Sequence, residues 1–358
     1  MNKIGRNDKK MKECGVTMTN RKGLSILYLT PYFYSKRGNA TTAKRMKKYL
    51  EEAGHQVNVF AFEEEDGPIE DLIKESDIIH ALHVRRTAEY VASKGITFQK
   101  PFVLTTGGTD VNIDLNHPKR KKQMEEFLSE SEALTVFTED GKDKVIADFP
   151  WLKNQVYVIP QAVEFESDTS FVPYSLPEGF PKLVLPAGLR PVKDVLFVLE
   201  ELDKQVLDYP NLQFLIVGEV LDNNVAQQVM EASYSRPWLT YKDPLDSKQM
   251  IAVYKWADVV INTSKSEGQP MSLLEGMAAG IPALARVNPG NDSVIIPGYN
   301  GYLFTSALDF SQQLQRLFQN KSHYEEIAAK AADYVQTHHN PEEEAQHYID
   351  LYYSLLSY

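Results

Sequence analysis

The sequence predicts an α/β protein built from two doubly wound, parallel-sheet domains of Rossmann-like type that face each other across a cleft. Short β-branched runs alternate with amphipathic helical stretches from about residue 23 to the end of the chain. Several of these runs are apolar throughout, which is typical of strands covered on both faces. The alternation stops at a proline-containing stretch and then starts again. Two successive βα series predict two domains, with ligand sites at the carboxyl ends of their strands.

The domain boundaries are predicted from where this alternation stops. We expect a flexible tail at 1–22, an amino-terminal domain at 23–165, a linker at 166–182 and a carboxyl-terminal domain at 183–335. The last segment, 336–358, is expected to form a helix that packs back on the amino-terminal domain. The strand-like runs are GLSILYLT, HQVNVFAF, DIIHAL, PFVLTT, ALTVFT and VYVIPQ in the first domain, and LVLPAGLR, FLIVGE, ADVVINTS and IPALAR in the second.

Composition excludes several classes of protein. Of the 358 residues, 43% are hydrophobic and 24% are charged, as in ordinary globular proteins. No apolar run is long enough to predict a transmembrane segment, and the charged amino terminus does not resemble a secretory signal. The single cysteine, Cys14, excludes an intramolecular disulfide and a cysteine-based metal site. We therefore expect a cytoplasmic location.

The net charge of −11 is unevenly distributed. Residues 1–50 contain 13 Lys/Arg and 2 Asp/Glu, and Arg85, Arg86 and the basic run 119–122 extend this basic character. One interpretation is a solvated face. The other is attraction of an anionic partner, including a lipid surface at which the protein would be peripheral. The negative total charge argues against nucleic-acid binding as the main function.

Three segments of the first domain place polar residues or glycines where a strand ends. In SKRGNATT, Gly38 and Asn39 precede a helix whose unpaired N–H groups would suit a phosphate, although a plain βα turn is the alternative. HALHVRR and TTGGTD end two consecutive strands. His83 falls nearer its strand end than His80 and is the better candidate to face a cleft, while a structural role stays open for both. No group of ligands has metal-site spacing, so no metal is expected.

The second domain contains two further candidate segments. In PAGLRPVKD, Arg190 and Lys193 lie at a strand-to-helix junction, where a guanidinium and an ammonium could together bind a diphosphate. The alternative is two solvated cations. In KSEGQPMSLLEGMAAG, Pro270 is predicted at the first helical position, and the N–H groups that follow it would bind an anion. Glu267 and Glu275 flank this helix start, and their carboxylates suit sugar hydroxyls.

On these residues, the chain over 23–358 resembles family 4 retaining glycosyltransferases, which have the GT-B fold. The specific element is Glu267 and Glu275 in SEGQPMSLLEGMAAGIP, supported by GLRPVKD, by the strand-end VGE at 217–219, and by HALH followed by GGTD. ARVNPGN together with GLRPVKD is similar to the subgroup that contains the glycosyltransferase 1 domain-containing proteins and selenosugar synthases.

The resemblance implies that the second domain binds an NDP-sugar, most commonly a UDP-sugar, and that the first domain binds the acceptor. Glu267 and His83 would contact the transferred sugar, Arg190 and Lys193 the diphosphate, and Glu275 the ribose, with no metal or other cofactor. The implied donor-binding set is Gly38, Asn39, Arg190, Lys193, Gly218, Gly268, Gln269, Pro270, Met271, Ser272, Leu273 and Glu275. The acceptor side would include Asp110, Thr109 and Arg85, and the acceptor itself is expected to be anionic or membrane-associated.

Alternative functions on the same fold are an NDP-sugar epimerase, a sugar phosphorylase, and a non-catalytic module that binds nucleotide sugars. A non-catalytic module is disfavoured because Glu267, Glu275, Arg190 and Lys193 are all present together. The sequence also departs from the family pattern. The two histidines are one residue further apart than usual, and Gln269 stands where Phe or Leu is common, which predicts a more polar sugar pocket.

Overall fold

The computed structural model describes residues 22–35, 37–164 and 172–356. Residues 1–21 of the predicted tail, including Cys14, and residues 166–171 of the predicted linker lie outside the described residues. Within the described ranges the chain forms two six-stranded parallel sheets flanked by helices, so the predicted α/β class with two parallel-sheet domains is confirmed. No helix in these ranges is long and apolar enough to cross a membrane.

Each domain contains one of the two sheets. The first sheet has the strand order β2-β1-β3-β4-β5-β6 and the second has the order β12-β11-β10-β7-β8-β9. The strands of the first are β1 Ser25–Thr30, β2 Gln56–Ala61, β3 Ile78–Leu82, β4 Phe102–Thr105, β5 Ala133–Val136 and β6 Val156–Val158. Those of the second are β7 Lys182–Pro186, β8 Gln213–Val217, β9 Leu239–Lys242, β10 Val259–Asn262, β11 Ala283–Arg286 and β12 Gly301–Phe304.

Helices cover both faces of each sheet. Those of the first domain are α1 Gly38–Glu52, α2 Glu70–Glu75, α3 Val84–Lys94, α4 Gly108–Asn112, α5 Pro118–Leu128 and α6 Glu139–Asp148. Those that follow are α7 Leu199–Gln205, α8 Asn223–Ser235, α9 Ser247–Trp256, α10 Met271–Ala278, α11 Pro289–Asp292, α12 Ala307–Phe318, α13 Lys321–His338 and α14 Pro341–Leu356. Short 3₁₀ turns occupy Asp114–Asn116, Pro150–Asn154 and Pro191–Lys193.

The strand orders explain where a ligand can bind. In each sheet the direction of winding reverses once, between β1 and β3 in the first and between β7 and β10 in the second. Connections leave such a point in opposite directions, so a crevice opens at the carboxyl ends of the two strands. His83 follows β3, Lys193 follows β7 and Glu267 follows β10. The candidate residues therefore lie at the two reversal points.

The apolar runs form the cores, as their composition predicts. All five residues of β3 and all four of β10 are buried, because helices cover these central strands on both faces. Strands β9 and β12, each four residues long, are not predicted by the sequence pattern.

The last helix, α14, leaves the second domain and packs on α1 of the first. Arg45 of α1 and Glu344 of α14 form a bidentate ion pair with N–O distances of 2.7 and 3.0 Å, and both side chains are almost fully buried. Tyr348 and Tyr352 of α14 are enclosed against the first sheet. The chain therefore passes between the domains twice, once after Ile159 and again near His339.

Two local predictions for the second domain differ from the structure. Pro270 is the N-cap of α10, and the first helical residue is Met271. The helix expected to follow the junction at Arg190 and Lys193 begins only at Leu199. Asp194 has a φ of 46°, in the left-handed region, which interrupts the helix before it can start. Its carboxylate is fixed there by Arg286 at 2.8 Å.

Candidate active site

Glu267 is the centre of the candidate site. Its Oε1 accepts hydrogen bonds from Lys193 Nζ at 2.6 Å, Ser264 Oγ at 2.6 Å and Asn262 Nδ2 at 2.9 Å. The side chain is only 11% exposed, and that of Lys193 is 17% exposed. Three donors from the ends of β7 and β10 thus converge on one carboxylate oxygen at the reversal point of the second sheet.

The charge of Glu267 is stabilised by these donors. Burial raises the pKa of the carboxyl group, but the Lys193 ammonium and the hydrogen bonds from Ser264 and Asn262 lower it further, and the net pKa lies below the ordinary value. Glu267 is therefore ionised at neutral pH. An ionised carboxylate accepts hydrogen bonds from hydroxyl groups, as a contact with a sugar requires.

Lys193 and Arg190 are separated by the 3₁₀ turn between them. Arg190 is the N-cap of that turn, and its exposed side chain makes no hydrogen bond or ion pair among the residues that the structure describes. Lys193 instead points to Glu267. The structure therefore brings Lys193, but not Arg190, into contact with the glutamate, and leaves the Arg190 guanidinium available to an anion.

Glu275 lies in the second turn of α10, where Tyr254 of α9 donates a hydrogen bond to its Oε2 at 2.8 Å. Burial raises the pKa of Glu275, although the Tyr254 hydroxyl and the more distant Arg45 partly oppose this effect. The bond from Tyr254 fixes the orientation of the carboxylate, because Tyr254 is itself 1% exposed.

The start of α10 offers fewer free N–H groups than the sequence predicts. The Met271 N–H donates to the Gln269 carbonyl at 3.1 Å, and the Leu273 N–H donates to the Pro270 carbonyl at 3.0 Å. Ser272 lies between them and is partly exposed. An anion at this helix start would have to compete with the Gln269 and Pro270 carbonyls for these two N–H groups.

Gln269 does not point into a sugar pocket. Its side-chain oxygen accepts from the Gln161 N–H at 2.7 Å, and the side chain is buried. Gln161 lies where the chain first leaves the amino-terminal domain, and its own side chain accepts from Thr42. Its carbonyl lies 2.8 Å from His339 Nδ1. Gln269 thus links the loop that carries Glu267 to both passages of the chain between the domains.

Two glycines are required by close backbone approach. A Cβ on Gly268 would lie 2.7 Å from the Cα of Gly108, so the two loops meet backbone to backbone across the cleft. A Cβ on Gly218 would lie 1.9 Å from the Ala187 carbonyl oxygen. Gly218 therefore allows the ends of β7 and β8 to approach each other, a role in packing that the sequence does not reveal.

On the amino-terminal side, His83 has a φ of 78°, which is unusual for a residue with a side chain. Its Nδ1 lies 2.8 Å from Asp110 Oδ1. The Asp110 carboxylate also accepts from the N–H groups of Gly107, Val84 and Arg85, at 2.7, 3.1 and 3.1 Å. Asp110 thus holds the strained residue in place, since left-handed backbone costs on the order of 1–3 kcal/mol.

Asp110 is 0% exposed and cannot contact an acceptor in this structure. Burial raises its pKa, but His83 and the backbone N–H groups lower it more, and the net pKa lies below the ordinary value. Thr109 is partly exposed at the start of α4. Of the three residues expected on the acceptor side, Asp110 therefore orients His83 instead.

Arg85 is also committed to neighbouring carboxylates. Its Nε lies 2.8 Å from the buried Asp114, and its Nη1 lies 2.5 Å from Glu89. Arg120 approaches the other oxygen of Asp114 at 2.9 Å. The charges of Arg85 and Arg120 are thus balanced by Asp114 and Glu89.

His80 is a structural histidine. It is 0% exposed, and its ring nitrogens lie 2.5 Å from Tyr352 Oη and 2.6 Å from Thr105 Oγ1. Burial lowers its pKa to about 3, so the ring is neutral. It joins α14 to the sheet, whereas His83 follows β3 with a side chain that is 6% exposed, and its contact with a sugar stays a prediction.

Gly38 and Asn39 begin α1, which has Arg37 as its N-cap. Gly38 is exposed, with open space around its Cα. Arg37 Nη2 reaches across the cleft to Glu219 at 3.5 Å. The structure thus places this loop opposite the end of β8.

Sequence reasoning missed Asn112, whose Nδ2 donates to the Glu267 carbonyl at 2.9 Å across the cleft. It also missed Asn262 and Ser264, although ADVVINTS places both at the end of a buried strand beside Glu267. The polar residues Asn262 and Ser264 at that strand end could have indicated a site. Asn112 could not be predicted in this way, because it is separated from Glu267 by 155 residues. No group of metal ligands occurs in the described ranges.

Comparison with solved structures identifies the architecture of the two domains. A glycosyltransferase from Rickettsia africae superimposes with a TM-score of 0.74, at 17% identity, over 94% of this chain and all of that one. The Anabaena protein HepE, solved with UDP and glucose, gives a TM-score of 0.73 at 13% identity over 93% and 100%. The fold is GT-B.

Sequence comparisons agree with the fold. Residues 166–334 match the family model of glycosyl transferases group 1. The glycosyltransferase 1 domain-containing protein 1 of Xenopus tropicalis is 29% identical over 343 residues, which cover 93% of this chain and 98% of that protein. An α-monoglucosyldiacylglycerol synthase from Acholeplasma laidlawii is 24% identical over 38% of this chain and 34% of its own length. The family model thus matches 169 of the 358 residues, over the second sheet and its helices.

Proposed function

We propose that this chain is a retaining glycosyltransferase of family 4 that transfers a sugar from an NDP-sugar, with a UDP-sugar favoured, to an acceptor hydroxyl. The observation that carries the proposal is the Lys193–Glu267 pair, held at the reversal point of the second sheet and facing the glycine loop of the first domain. The family match and the transferase relatives support it.

Each part of the site has a role in this reaction. Negative charge grows on the diphosphate as the bond to the sugar breaks, and fixed cations at that point stabilise the transition state. Lys193 and the uncommitted Arg190 would supply this positive charge, so we propose that no divalent metal is needed. Glu275, oriented by Tyr254, would bind the ribose hydroxyls. Glu267 and His83 would contact the sugar.

The reaction is balanced without another reactant. The acceptor oxygen forms a bond to the anomeric carbon while the bond from that carbon to the phosphate oxygen breaks. The bonding electrons leave with the diphosphate, and the proton of the acceptor hydroxyl passes to an oxygen of the departing phosphate. Attack on the face that the leaving group vacates gives retention of configuration. A cytoplasmic location and the absence of nucleic-acid binding stay predictions.

Titration calorimetry with UDP, UDP-glucose and UDP-N-acetylglucosamine, in excess EDTA, tests the donor site. We expect binding by the wild type and about tenfold weaker UDP binding by Arg190→Ala, because one charge-assisted contact to phosphate is lost. Arg316→Ala, which removes an exposed arginine of α12, is the matched control and should bind like the wild type.

Two results would contradict the proposal. If none of these three nucleotides binds, the assignment of the donor site is wrong. Binding or sugar transfer that requires a divalent ion would remove the role given to Arg190 and Lys193.

A further inference from the structure

Asp194, the residue after Lys193, has an unusual backbone conformation. Its φ and ψ are 46° and 44°, in the left-handed region, which is unfavourable for most residues with a side chain, although Asp tolerates it better than most. Among the residues that the structure describes, His83 is the other non-glycine residue with a positive φ, and it lies in the candidate site. Such backbone persists only where surrounding contacts enforce it, and it is frequent at functional sites.

Contacts from a neighbouring loop hold Asp194 in this conformation. Asp194 Oδ2 accepts from Arg286 Nη1 at 2.8 Å, and Arg286 is the last residue of β11. Lys265 Nζ approaches the same oxygen at 3.4 Å, but its side chain is 56% exposed, so this second contact contributes less. The Asp194 carbonyl accepts from the Phe197 N–H at 2.9 Å, which closes the turn.

Arg286 is itself fixed at both its side chain and its backbone. Its guanidinium carbon lies 4.0 Å from the centre of the Phe197 ring, a distance at which a cation and an aromatic face attract each other. Its carbonyl accepts from Asn291 Nδ2 at 2.8 Å, and Asn291 is fully buried. Arg286 can therefore act as an anchor for the Asp194 carboxylate.

The anchored turn contains Lys193. The Lys193 carbonyl accepts from Thr263 Oγ1 at 2.9 Å, and the Val192 carbonyl accepts from the Lys265 N–H at 2.9 Å. These two bonds hold the turn against the loop that follows β10 and carries Glu267. The ion pair with Arg286 holds the residue that comes next, so the backbone from which the Lys193 ammonium reaches Glu267 is fixed on both sides.

We propose that Arg286 and Asp194 are positioning residues of the donor site. Their ion pair fixes the turn after Lys193 and thereby places the Lys193 ammonium where the diphosphate of the donor binds. The inference rests on the proposed function, since it is the diphosphate role of Lys193 that the ion pair supports. Arg286 acts through Lys193, because its own guanidinium is committed to Asp194 and to the Phe197 ring.

A double-mutant cycle on UDP affinity tests this assignment, because residues that act through one contact have non-additive effects. Calorimetry measures the Kd of UDP for the wild type, Lys193→Ala, Arg286→Ala and the double variant. Lys193→Ala should weaken binding about tenfold, as expected for one lost charge-assisted contact to phosphate. Arg286→Ala should weaken it about fivefold, because a displaced ammonium keeps only part of its contact, and should add less than about twofold in the Lys193→Ala background.

Asp194→Ala separates positioning from a change of local charge. Loss of a carboxylate near the diphosphate would by charge alone tighten the binding of an anion. If the ion pair positions Lys193, Asp194→Ala should instead weaken UDP binding by about the same fivefold factor as Arg286→Ala, since it breaks the same pair from the other side. Should Arg286→Ala fail to fold, Asp194→Ala combined with Lys193→Ala gives an equivalent cycle.

Arg236→Ala is the matched control. Arg236 pairs with Asp203 at 2.7 Å in the same domain, and its side chain is 23% exposed, as is that of Arg286. It precedes β9, at the amino edge of the second sheet, whereas Lys193 and Glu267 lie at the carboxyl edge. Arg236→Ala should therefore keep the wild-type affinity for UDP, whatever the loss of this ion pair costs in melting temperature.

Three results would overturn the positioning role while leaving the donor site intact. These are wild-type UDP affinity in Arg286→Ala, tighter UDP binding by Asp194→Ala, and additive losses in the double variant, which would show that Arg286 contacts the ligand itself. If Lys193→Ala binds UDP like the wild type, the diphosphate role of Lys193 is wrong. If the wild type binds no UDP, the donor assignment fails, and in both of these cases the positioning role fails with it.

Discussion

The two domains each place a buried carboxylate and a basic side chain at the carboxyl edge of a parallel sheet, but the two carboxylates are held in different ways. Asp110 is fully enclosed and receives three backbone N–H groups in addition to His83. Glu267 is held by side chains and retains some exposure.

This difference separates a structural role from a chemical one. A carboxylate bound by backbone cannot change partners unless the loop that carries it moves, so Asp110 fixes the conformation around His83. A carboxylate bound by side chains can exchange one of them for a ligand, so Glu267 is suited to contact a substrate. The comparison predicts that substitutions at the two positions will affect different measurements.

The largest expected effect is on turnover. Glu267→Gln should lower kcat by about 100- to 1,000-fold, because the charge that contacts the transferred sugar is lost, and it should also lower the melting temperature, because the Lys193 ammonium loses its ionic partner. Calorimetry with UDP is the matched measurement and should give nearly wild-type affinity. If Glu267→Gln unfolds the protein and leaves the kcat of the folded fraction unchanged, the two carboxylates do not differ in the way proposed.

The next effect is on stability. Asp110→Asn should lower the free energy of unfolding by about 3 kcal/mol, because one amide oxygen cannot satisfy the donors that the carboxylate serves and the new NH₂ group faces N–H groups. Urea denaturation measures the change. Glu139→Gln, at an exposed carboxylate of the same domain, is the control and should cost less than about 1 kcal/mol. Equal losses in the two variants would contradict the structural role of Asp110.

The smallest expected effect is on the pH dependence of stability, and it concerns His80, a structural residue of the first domain. The pKa of His80 is about 3 in the folded protein, below its ordinary value of 6.5. Between pH 3 and pH 6.5 the unfolded chain therefore binds more protons at His80 than the folded chain does. The contribution of His80 to stability is thus complete above pH 6.5 and is lost progressively as the pH falls toward 3. Between pH 7 and 5 it should fall by about 2 kcal/mol.

Urea midpoints of the wild type and His80→Gln at pH 7 and pH 5 measure this contribution. The wild type should lose more stability than the variant over this interval. An equal loss in both would show that His80 is not held neutral. His339, whose pKa burial lowers to about 4, should contribute a similar loss in both proteins.

Local patterns in the sequence predicted the features that depend on neighbouring residues. The βα alternation predicted both sheets, and the strand ends predicted where Glu267 and Lys193 lie. Burial of apolar residues and the ends of parallel strands are properties that a short window of sequence reveals.

The features that were missed depend on distant parts of the chain. The contact between Asn112 and the Glu267 carbonyl joins the two domains, and the burial of His80 requires a helix 272 residues away. Arg190 and Lys193 were expected to act over one helix start, but the left-handed Asp194 delays the helix until Leu199, and Lys193 is paired with Glu267. These outcomes depend on tertiary packing, which sequence periodicity does not encode.

The double passage of the chain between the domains has a mechanical consequence. Two bodies joined by a single strand can swivel about several axes, whereas two adjacent passages restrict them chiefly to bending about the line that joins those passages. Here the passages are tied together, since the Gln161 carbonyl meets His339 Nδ1 and the Val163 N–H meets the His339 carbonyl. Any movement of one domain against the other would therefore have to bend both passages together, and it would break or re-form the contact between Asn112 and the Glu267 carbonyl.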